Sequence, residues 1–429
     1  MIRKIIVSVV VLLTSFDLIS QEVYSGKLID QQTKSPIAFA HIFSPELGIG
    51  TTSNSLGGWS IEVPDSILKF KLVLSHTSYK SRVISFESRI ANGEVYELEP
   101  AIVRLAEISI TPIDPLEIIK KAIANSEINY PTREVTLKGF QREVIKSQNE
   151  VVQVLEAEYE SYYDDKELKN NLIKGLYAEN KEFRNGDKLW SNKTGGFYVF
   201  GLTALGNSQR PFHDNMLGIG TLDIERVIKY YDFEYEGNIE LESGEAYILK
   251  FNQKAGVKKG LIQGTIFIDA DTYAIVELEY RLSDQGKKHL KTNKRWNGQV
   301  VSTAPFVKKV KITDELRKVT YKKHLGKWYL SSIVHDIDFT ATVKLPLKTI
   351  AKSSVLTQHT EQVIYKIENC TCPNHKNSLP TDMYHFQVYL KNQCENYEAT
   401  NWQSSQKIKG DMDYSKLITK LKKQNRKIK

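Results

Sequence analysis

Residues 264–280 read GTIFIDADTYAIVELEY, and this stretch decides the fold class of the chain. Ile266 and Ile268 lie two positions apart in its first half. Ile275 and Glu277 repeat that spacing in its second half, after a turn. Because successive side chains of a strand point to opposite faces of a sheet, the spacing predicts two antiparallel strands, each with one buried and one wetter face.

The same alternation extends on both sides of these two strands, from about residue 135 to about residue 367. It is clear in LKGFQREVIK, NEVVQVLEAEYESYY, EAYILKFN and VKKVKITDELRKVTYKKHLGKWYLSSIVHDIDFTATVKL. So many long strands predict one large antiparallel sheet, and a sheet of this size curls to protect its edges. We therefore expect a mainly β protein whose larger part is a curved, half-barrel-like antiparallel sheet.

One amphipathic helix is predicted just before this sheet, in DPLEIIKKAIANSEINYP. Asp114 is a favoured N-cap residue, and the proline after it fits the first helical position. Leu116, Ile119 and Ile123 lie on one side at helical spacing. We expect this helix to cover residues 114–127 and to pack on the concave side of the sheet.

The first part of the chain, residues 22–110, favours short strands. YSGKLID, AFAHIFS, GGWSIEV, FKLVLSH and SRVISFE are β-rich runs separated by turn-forming residues. About seven strands in so short a segment predict a β-sandwich, in which each strand buries one face.

The glycine-rich segment GIGTTSNSLGGWSIEVP, residues 48–64, is predicted to be a hairpin turn of this sandwich. Asn54, Gly57 and Gly58 tolerate positive φ angles, so that the chain reverses before Trp59 points inward. A phosphate loop would need Lys-Ser or Lys-Thr at its end, and a calcium loop would need several carboxylates. The segment has neither, which favours a purely structural role.

The sandwich segment resembles the carboxypeptidase-regulatory-like family. The residues that carry the resemblance, in order, are Ser25–Asp30, Ser35–Ala40, Gly50–Ser53, Gly57–Trp59, Leu72–His76 and Tyr79–Lys80. It implies a transthyretin-like or immunoglobulin-like sandwich of the kind that begins many Bacteroidetes envelope proteins. The family usually has an aspartate before the glycine of its turn, where this chain has Ser-Asn-Ser, which argues against a metal there. The resemblance is to an accessory domain and implies no peptidase activity, and the chain contains no H-E-x-x-H motif.

The larger part resembles the region that follows this domain in uncharacterised Bacteroidetes envelope proteins. DPLEIIKKAIANSEINYP, LKGFQRE and GTIFIDADTYAIVELEY carry this likeness. Its architecture of one helix and a curved sheet is also similar to the periplasmic lipoprotein-carrier fold, an open half-barrel that holds acyl chains. That second likeness implies a groove for an apolar ligand.

The N-terminus has the layout of a secretory signal peptide, because Arg3 and Lys4 precede the apolar run from Ile5 to Leu13. It predicts export to the periplasm or the outer membrane, with a retained membrane anchor as the alternative to a signal peptide. The predicted organisation is a signal peptide at 1–20, the sandwich at 21–108, the helix and large sheet at 109–368, and a Cys-containing segment with a basic helix at 369–429.

The positive charge of the chain is concentrated at its C-terminus. The formal net charge is +8, and residues 407–429 hold nine Lys or Arg against two Asp. The rest of the chain is close to neutral, so we predict no nucleic-acid partner. The tail is predicted to be a helix, and its lysines suit either a solvated chain end or contact with an anionic membrane surface. Its candidate surface-binding residues are Lys416, Lys420, Lys422, Lys423, Arg426 and Lys427.

Three cysteines and one histidine are weak candidate metal ligands: Cys370, Cys372, His375 and Cys394. Their spacing differs from the repeated two-residue gaps of zinc sites. A disulfide between Cys394 and one of the other two cysteines, or free thiols, are the alternatives in an exported protein. We predict no metal site and no cofactor.

No catalytic motif is evident in the sequence. Asp336 and Asp338 lie two apart on a predicted strand, and this spacing suits paired carboxylates as well as a solvated face. We predict a non-enzymatic, exported cell-envelope protein that binds or docks an envelope partner, a glycan or an apolar ligand such as a lipid. The alternatives are a hydrolase with carboxylates on the large sheet, or a truncated relative of outer-membrane transporters that begin with the same sandwich.

Overall fold

The chain is mainly β in the computed structural model, as its sequence predicts. The described residues are 21–86, 93–105, 113–131, 135–147, 150–164, 167–179, 182–185, 188–191, 224–241, 244–290, 295–296, 299–300, 307–343, 352–369 and 407–426. The predicted signal peptide lies outside them.

The N-terminal part is the predicted seven-stranded sandwich. Its strands are β1 Gln21–Asp30, β2 His41–Ser44, β3 Ile49–Thr52, β4 Gly58–Pro64, β5 Phe70–His76, β6 Tyr79–Phe86 and β7 Glu94–Leu98. One sheet has the order β4-β1-β7, and β6-β5-β2-β3 form the facing layer. Trp59 and Leu28 are fully buried between the layers, because alternate residues of the short strands are apolar.

The hairpin prediction for residues 48–64 is wrong. β3 and β4 belong to different sheets, so this segment is an arch between the two layers of the sandwich. The Asn54 side chain holds the arch, since its Oδ1 accepts from the amide of Leu56 at 3.0 Å and from that of Gly58 at 2.8 Å. Of the three expected positive φ angles, only Gly57 has one, at 76°.

The larger part contains the remaining strands. They are β8 Val103–Leu105, β9 Val135–Ser147, β10 Glu150–Asp164, β11 Glu167–Glu179, β12 Glu182–Asn185, β13 Lys188–Ser191, β14 Tyr231–Leu241, β15 Gly244–Gln253, β16 Ile262–Asp269, β17 Ile275–Leu282, β18 Arg295–Trp296, β19 Gln299–Val300, β20 Val307–His324, β21 Lys327–Val343 and β22 Lys352–Asn369. The strands β12 and β13, and likewise β18 and β19, form separate pairs.

The other eleven strands form one curved antiparallel sheet, in the order β11-β10-β9-β22-β21-β20-β17-β16-β15-β14-β8. The stretch GTIFIDADTYAIVELEY forms β16, β17 and their turn, as predicted. Asp269 closes this turn by accepting from the Thr272 amide at 2.8 Å. The sandwich joins the sheet where the Ile367 amide donates to the Gly48 carbonyl at 3.0 Å.

Five helices lie among the described residues: α1 Pro115–Ala124, α2 Ser126–Asn129, α3 Ile224–Tyr230, α4 Asp284–His289 and α5 Tyr414–Arg426. Helix α1 is the predicted amphipathic helix, and the Asp114 side chain caps it by accepting from the Leu116 amide at 2.9 Å. Ile118, Ile119 and Ala122 are its buried residues, so its apolar face is shifted from the predicted one. We call the face of the large sheet that α1 covers the inner face.

The opposite, outer face carries helix α5 and the sandwich. Ile418 and Leu421 of α5 are buried against Phe140 and Val363 of the sheet. The apolar side of the C-terminal helix therefore belongs to the core of the protein. In the part of the chain that the structure describes, no helix has both the length and the apolar character needed to cross a membrane.

Candidate binding site between the sandwich and the large sheet

Polar side chains join the sandwich to the outer face of the large sheet. His41 on β2 reaches β21, where its Nδ1 lies 2.7 Å from the Ser331 hydroxyl and its Nε2 lies 3.2 Å from the Ser332 hydroxyl. The Thr77 hydroxyl donates to Glu277 on β17 at 2.8 Å. These contacts fix how the two parts sit on each other, because each bond depends on direction.

A cavity of about 290 Å³ lies in this junction. Its lining residues from the sandwich are His41, Phe43, Pro45, Ser75, His76, Thr77 and Ser81. Those from the large sheet are Leu241, Val276, Glu277, Thr320, Tyr321, Lys322, Lys323, His324, Leu325, Gly326 and Trp328. Apolar and aromatic walls with a few polar groups are typical of small-molecule sites, although this cavity is at the small end of their range.

Lys322 on β20 is the unusual member of this lining. It is 7% exposed, and its Nζ donates to the Ile364 carbonyl at 2.9 Å and lies 4.2 Å from the centre of the Phe43 ring. Among the described residues, no carboxylate lies within ion-pair distance of it. Burial lowers the pKa of the Lys322 amine to about 7.

A second lysine lies near the cavity and is paired. Lys318 Nζ lies 3.1 Å from Glu277 Oε1 and 3.3 Å from His76 Nε2. Burial raises the pKa of the Glu277 carboxyl, although the Lys318 charge opposes that effect. The Glu277 side chain is buried because the sandwich covers it.

The histidines of the cavity are neutral bases. Burial lowers the pKa of His41 to about 3, and the Lys318 and Lys322 charges act in the same direction. Burial also lowers the pKa of His324, whose Nδ1 lies 3.0 Å from the Pro45 carbonyl oxygen. The positive charges at the site therefore come from its lysines: the buried Lys322, the exposed Lys323 and the nearby, paired Lys318.

The arrangement suits an anion with an apolar body. Lys322 offers an ammonium group without a carboxylate, and the indole N–H of Trp328 has no acceptor. Phe43 and Val276 supply apolar contact area. A ligand carboxylate or phosphate would give the buried ammonium the partner that such a charge requires.

Sequence reasoning missed this site, because its residues come from distant parts of the chain. His41 and Lys322 belong to the two different parts, and neither lies in a motif. The one signal in the sequence is Lys322 in KVTYKKHLGKWY, which lies one position away from the alternating apolar residues Val319 and Tyr321. That signal could not be distinguished from a solvated lysine, which is the common case.

The residues predicted from sequence lie elsewhere. Cys370, Cys372, His375 and Cys394 are outside the described residues, within which no cluster with metal-binding geometry occurs. Lys416, Lys420 and Lys423 are exposed on α5, and Lys422 is half-buried. Arg426 ends this helix, and Lys427 lies beyond the described part. The predicted membrane contact of these residues stays a prediction.

Asp336 and Asp338 do share the outer face of β21, as their spacing predicts. Asp336 is engaged with His359, whose Nδ1 lies 2.6 Å from its Oδ1. Glu361 also contacts His359, at 3.2 Å. Hydrogen bonds to Asp336 and Glu361 outweigh the effect of burial and raise the pKa of His359 to about 10, so these groups form an ion-paired cluster.

The N-terminal domain has a known family. Residues 24–110 match the model of the CarboxypepD_reg-like domain, which confirms the resemblance found in the sequence. This match covers less than half of the chain and identifies the sandwich alone. The fold and the cavity thus define a two-part β protein that begins with a CarboxypepD_reg-like domain. No curated protein matches the chain.

Three solved structures show a distant likeness. A DUF1329 family protein from Desulfovibrio piger has 10% identity and a TM-score of 0.26, over 61% of this chain and 96% of that one. A LolA superfamily protein from Nitrosomonas europaea has 10% identity and a TM-score of 0.23, over 61% of this chain and 96% of that one. Lipovitellin has 8% identity and a TM-score of 0.24, over 58% of this chain and 27% of that one. TM-scores this low carry no argument about function.

Proposed function

We propose that this chain is an exported binding protein whose interdomain cavity holds a ligand with an apolar body and an anionic head. The buried Lys322 ammonium, which faces a carbonyl and an aromatic ring but no described carboxylate, is the observation that carries the proposal. Burying a lysine in this way costs stability, and a ligand anion would recover part of that cost. A binding role would explain why the chain contains a buried lysine that lowers its stability.

Decanoate is the probe that tests the proposal, because it combines one carboxylate with a flexible apolar chain. Calorimetric titration of the full chain is expected to detect binding, and Lys322→Met is expected to weaken it at least tenfold, or about 1.4 kcal/mol. Lys311→Met is the matched control, because Lys311 is exposed on the same strand and does not line the cavity. Equal binding by Lys322→Met and the unaltered protein would exclude this site.

The same experiment has a pH dependence that separates a charge contact from a merely apolar one. The pKa of Lys322 is about 7 without ligand, so the ammonium form is lost as the pH rises above that value. An anion beside the amine favours the protonated form. Decanoate affinity is therefore expected to fall as the pH rises above about 7, whereas decanol affinity stays constant.

Export and contact with an anionic membrane surface complete the proposal. The signal-peptide layout of residues 1–20 supports export, and the exposed Lys416, Lys420 and Lys423 support a surface contact through charge alone, since the apolar side of α5 is buried. Vesicles with and without phosphatidylglycerol test the contact. Replacing these three lysines by Gln is expected to abolish binding to the anionic vesicles, and unchanged binding would contradict it.

The alternative of a hydrolase with Asp336 and Asp338 has less support. Asp336 bonds to His359, and neither aspartate lines the interdomain cavity. Burial and the charges of Asp314 and Asp336 raise the pKa of Asp338, which is the single feature in favour of acid chemistry. This alternative would be supported if Asp338→Asn lost a hydrolytic activity of the protein and still bound decanoate.

A further inference from the structure

A row of polar side chains crosses the inner face of the large sheet. Strand register aligns Glu143, Thr360, His335, Arg317 and Tyr280 on the five neighbouring strands β9, β22, β21, β20 and β17. All five are buried, and Glu143 and Thr360 are each only 1% exposed. The row borders the apolar area that α1 covers. A purely structural core would not need this polar row, because apolar residues would pack there without the free-energy cost of burying polar groups.

The end of this row at β9 contains polar atoms that have no partner. Both carboxyl oxygens of Glu143 lack a hydrogen bond, as do both amide atoms of Gln141 and Oε1 of Gln362. Gln141 and Gln362 are cross-strand neighbours on the inner face, and Gln141 lies two residues from Glu143 on the same strand. Buried polar atoms without partners are rare in folded proteins because each one is costly. An occupant of the inner face would remove this cost.

The chemistry of these atoms selects the occupant. When Glu143 is a carboxylate, four of them are oxygens that accept hydrogen bonds, and the Gln141 amide nitrogen is the one donor. A primary ammonium group has three N–H donors, no acceptor and a positive charge, so it complements a carboxylate flanked by amide oxygens. We propose that Glu143, Gln141 and Gln362 form a second binding site, for a ligand that carries a primary ammonium group.

Binding at this site is linked to one proton. Burial alone raises the pKa of the Glu143 carboxyl well above its ordinary value, so the group is neutral without a ligand. The titratable and charged groups on the same face include Tyr159 on β10, His335 on β21, Glu315, Arg317 and Tyr321 on β20, and Tyr280 on β17. A ligand ammonium favours the carboxylate form, and the Glu143 proton leaves to solvent. One cation enters as one proton is released, so the site gains no net charge.

Decylamine and decanol are the probes, since they share a chain and differ in the ammonium group. Calorimetry of the full chain in two buffers of different ionisation enthalpy counts the protons released. We expect decylamine to bind at least tenfold more tightly than decanol and to release about one proton. Weak or equal binding of both probes, or binding without proton release, would overturn the proposal and would leave buried water as the occupant.

Glu143→Gln is the decisive variant, because it keeps the shape of the side chain and removes its acid. It is expected to keep the fold, as checked by thermal unfolding, to lose the proton release and to bind decylamine at least tenfold more weakly. Glu279→Gln, on the exposed outer face, is the control. Lys322→Met is expected to leave decylamine binding intact. The proposals for this site and for the anion site are therefore tested independently of each other.

Discussion

The Lys322 ammonium lies 4.2 Å from the centre of the Phe43 ring, and the two residues belong to different parts of the protein. Phe43 is on β2 of the sandwich, and Lys322 is on β20 of the large sheet. A cation on an aromatic face is stabilised most where water is excluded. The contact therefore connects the docking of the two parts to the protonation state of one lysine, so that pH, stability and ligand binding are expected to change together.

Lys322→Met is expected to stabilise the ligand-free protein. Burial lowers the pKa of this lysine in the folded state to about 7, from 10.5. The unfolded chain therefore binds more protons between these two values, and the free energy of unfolding rises with pH across that range. Replacing the buried ammonium by an apolar chain is expected to add about 1–4 kcal/mol near neutral pH.

Urea denaturation at about pH 7 and about pH 10 checks this prediction. The gain from Lys322→Met is expected to shrink at the higher pH, because the lysine is then neutral in the folded state and costs less. Lys311→Met is the control on the same strand. A variant that is less stable than the unaltered protein at both pH values would show that the lysine contacts outweigh its burial.

His41 is expected to make the protein sensitive to acid. Its pKa is about 3 when folded and 6.5 when exposed, so the unfolded chain takes up a proton first as the pH falls. The stability that depends on neutral His41 is complete above about pH 6.5 and declines by about 1.4 kcal/mol per pH unit below it. His76 contributes in the same direction, because burial also lowers its pKa.

His41→Gln tests this, since glutamine retains hydrogen-bonding groups for Ser331 and Ser332. The variant is expected to lose less stability between about pH 6.5 and about pH 4 than the unaltered protein. His289→Gln, in α4 outside the cavity, serves as the reference. Parallel pH curves for the two variants would remove His41 from the explanation of acid unfolding.

The sequence predicted the fold better than the site, and the reason is physical. Strand alternation in GTIFIDADTYAIVELEY and the Asp114 cap are local signals, and both appear in the structure. The arch at residues 48–64 was missed because glycines indicate that a chain turns but not which sheet it joins next. The cavity was missed because its residues meet only after the sandwich docks. The sequence alone does not distinguish a buried lysine from an exposed one.

Gly57→Ala is expected to be among the most damaging small substitutions in the sandwich. The φ angle of Gly57 is 76°, and a Cβ atom there would lie 2.3 Å from the Leu28 carbonyl oxygen. Gly93 also has a positive φ, 98°, but a Cβ there would have no neighbour within 4 Å. Both changes cost about 1–2 kcal/mol for backbone strain, and only the first adds a clash.

The pair of variants isolates that clash. Gly57→Ala is expected to lower the free energy of unfolding by at least about 2 kcal/mol more than Gly93→Ala. Thermal and urea unfolding of both variants give the comparison. If the two variants are equally stable, the arch relaxes around the methyl group, and the tight approach of Gly57 to β1 has no structural importance.

Arg142→Met is expected to release the C-terminal segment from the large sheet. Arg142 is 1% exposed and donates to Glu156 at 2.7 Å and to the Ile408 carbonyl at 3.1 Å. Its guanidinium carbon lies 4.1 Å from the centre of the Tyr414 ring. Removing the arginine leaves Glu156 buried without this partner, and breaking such a pair costs about 3–5 kcal/mol.

Limited trypsin digestion measures the release, because trypsin is expected to cut the lysines of α5 faster once the segment detaches and the helix unfolds. Faster cleavage is expected for Arg142→Met. Arg142→Lys is expected to lie between it and the unaltered protein, because one ammonium cannot reproduce the planar fork that reaches both Glu156 and the Ile408 carbonyl. Arg82→Met removes an exposed arginine from β6 and is expected to change nothing. Cleavage of Arg142→Met at the rate of Arg82→Met would mean that the apolar contacts of Ile418 and Leu421 hold the segment without the arginine.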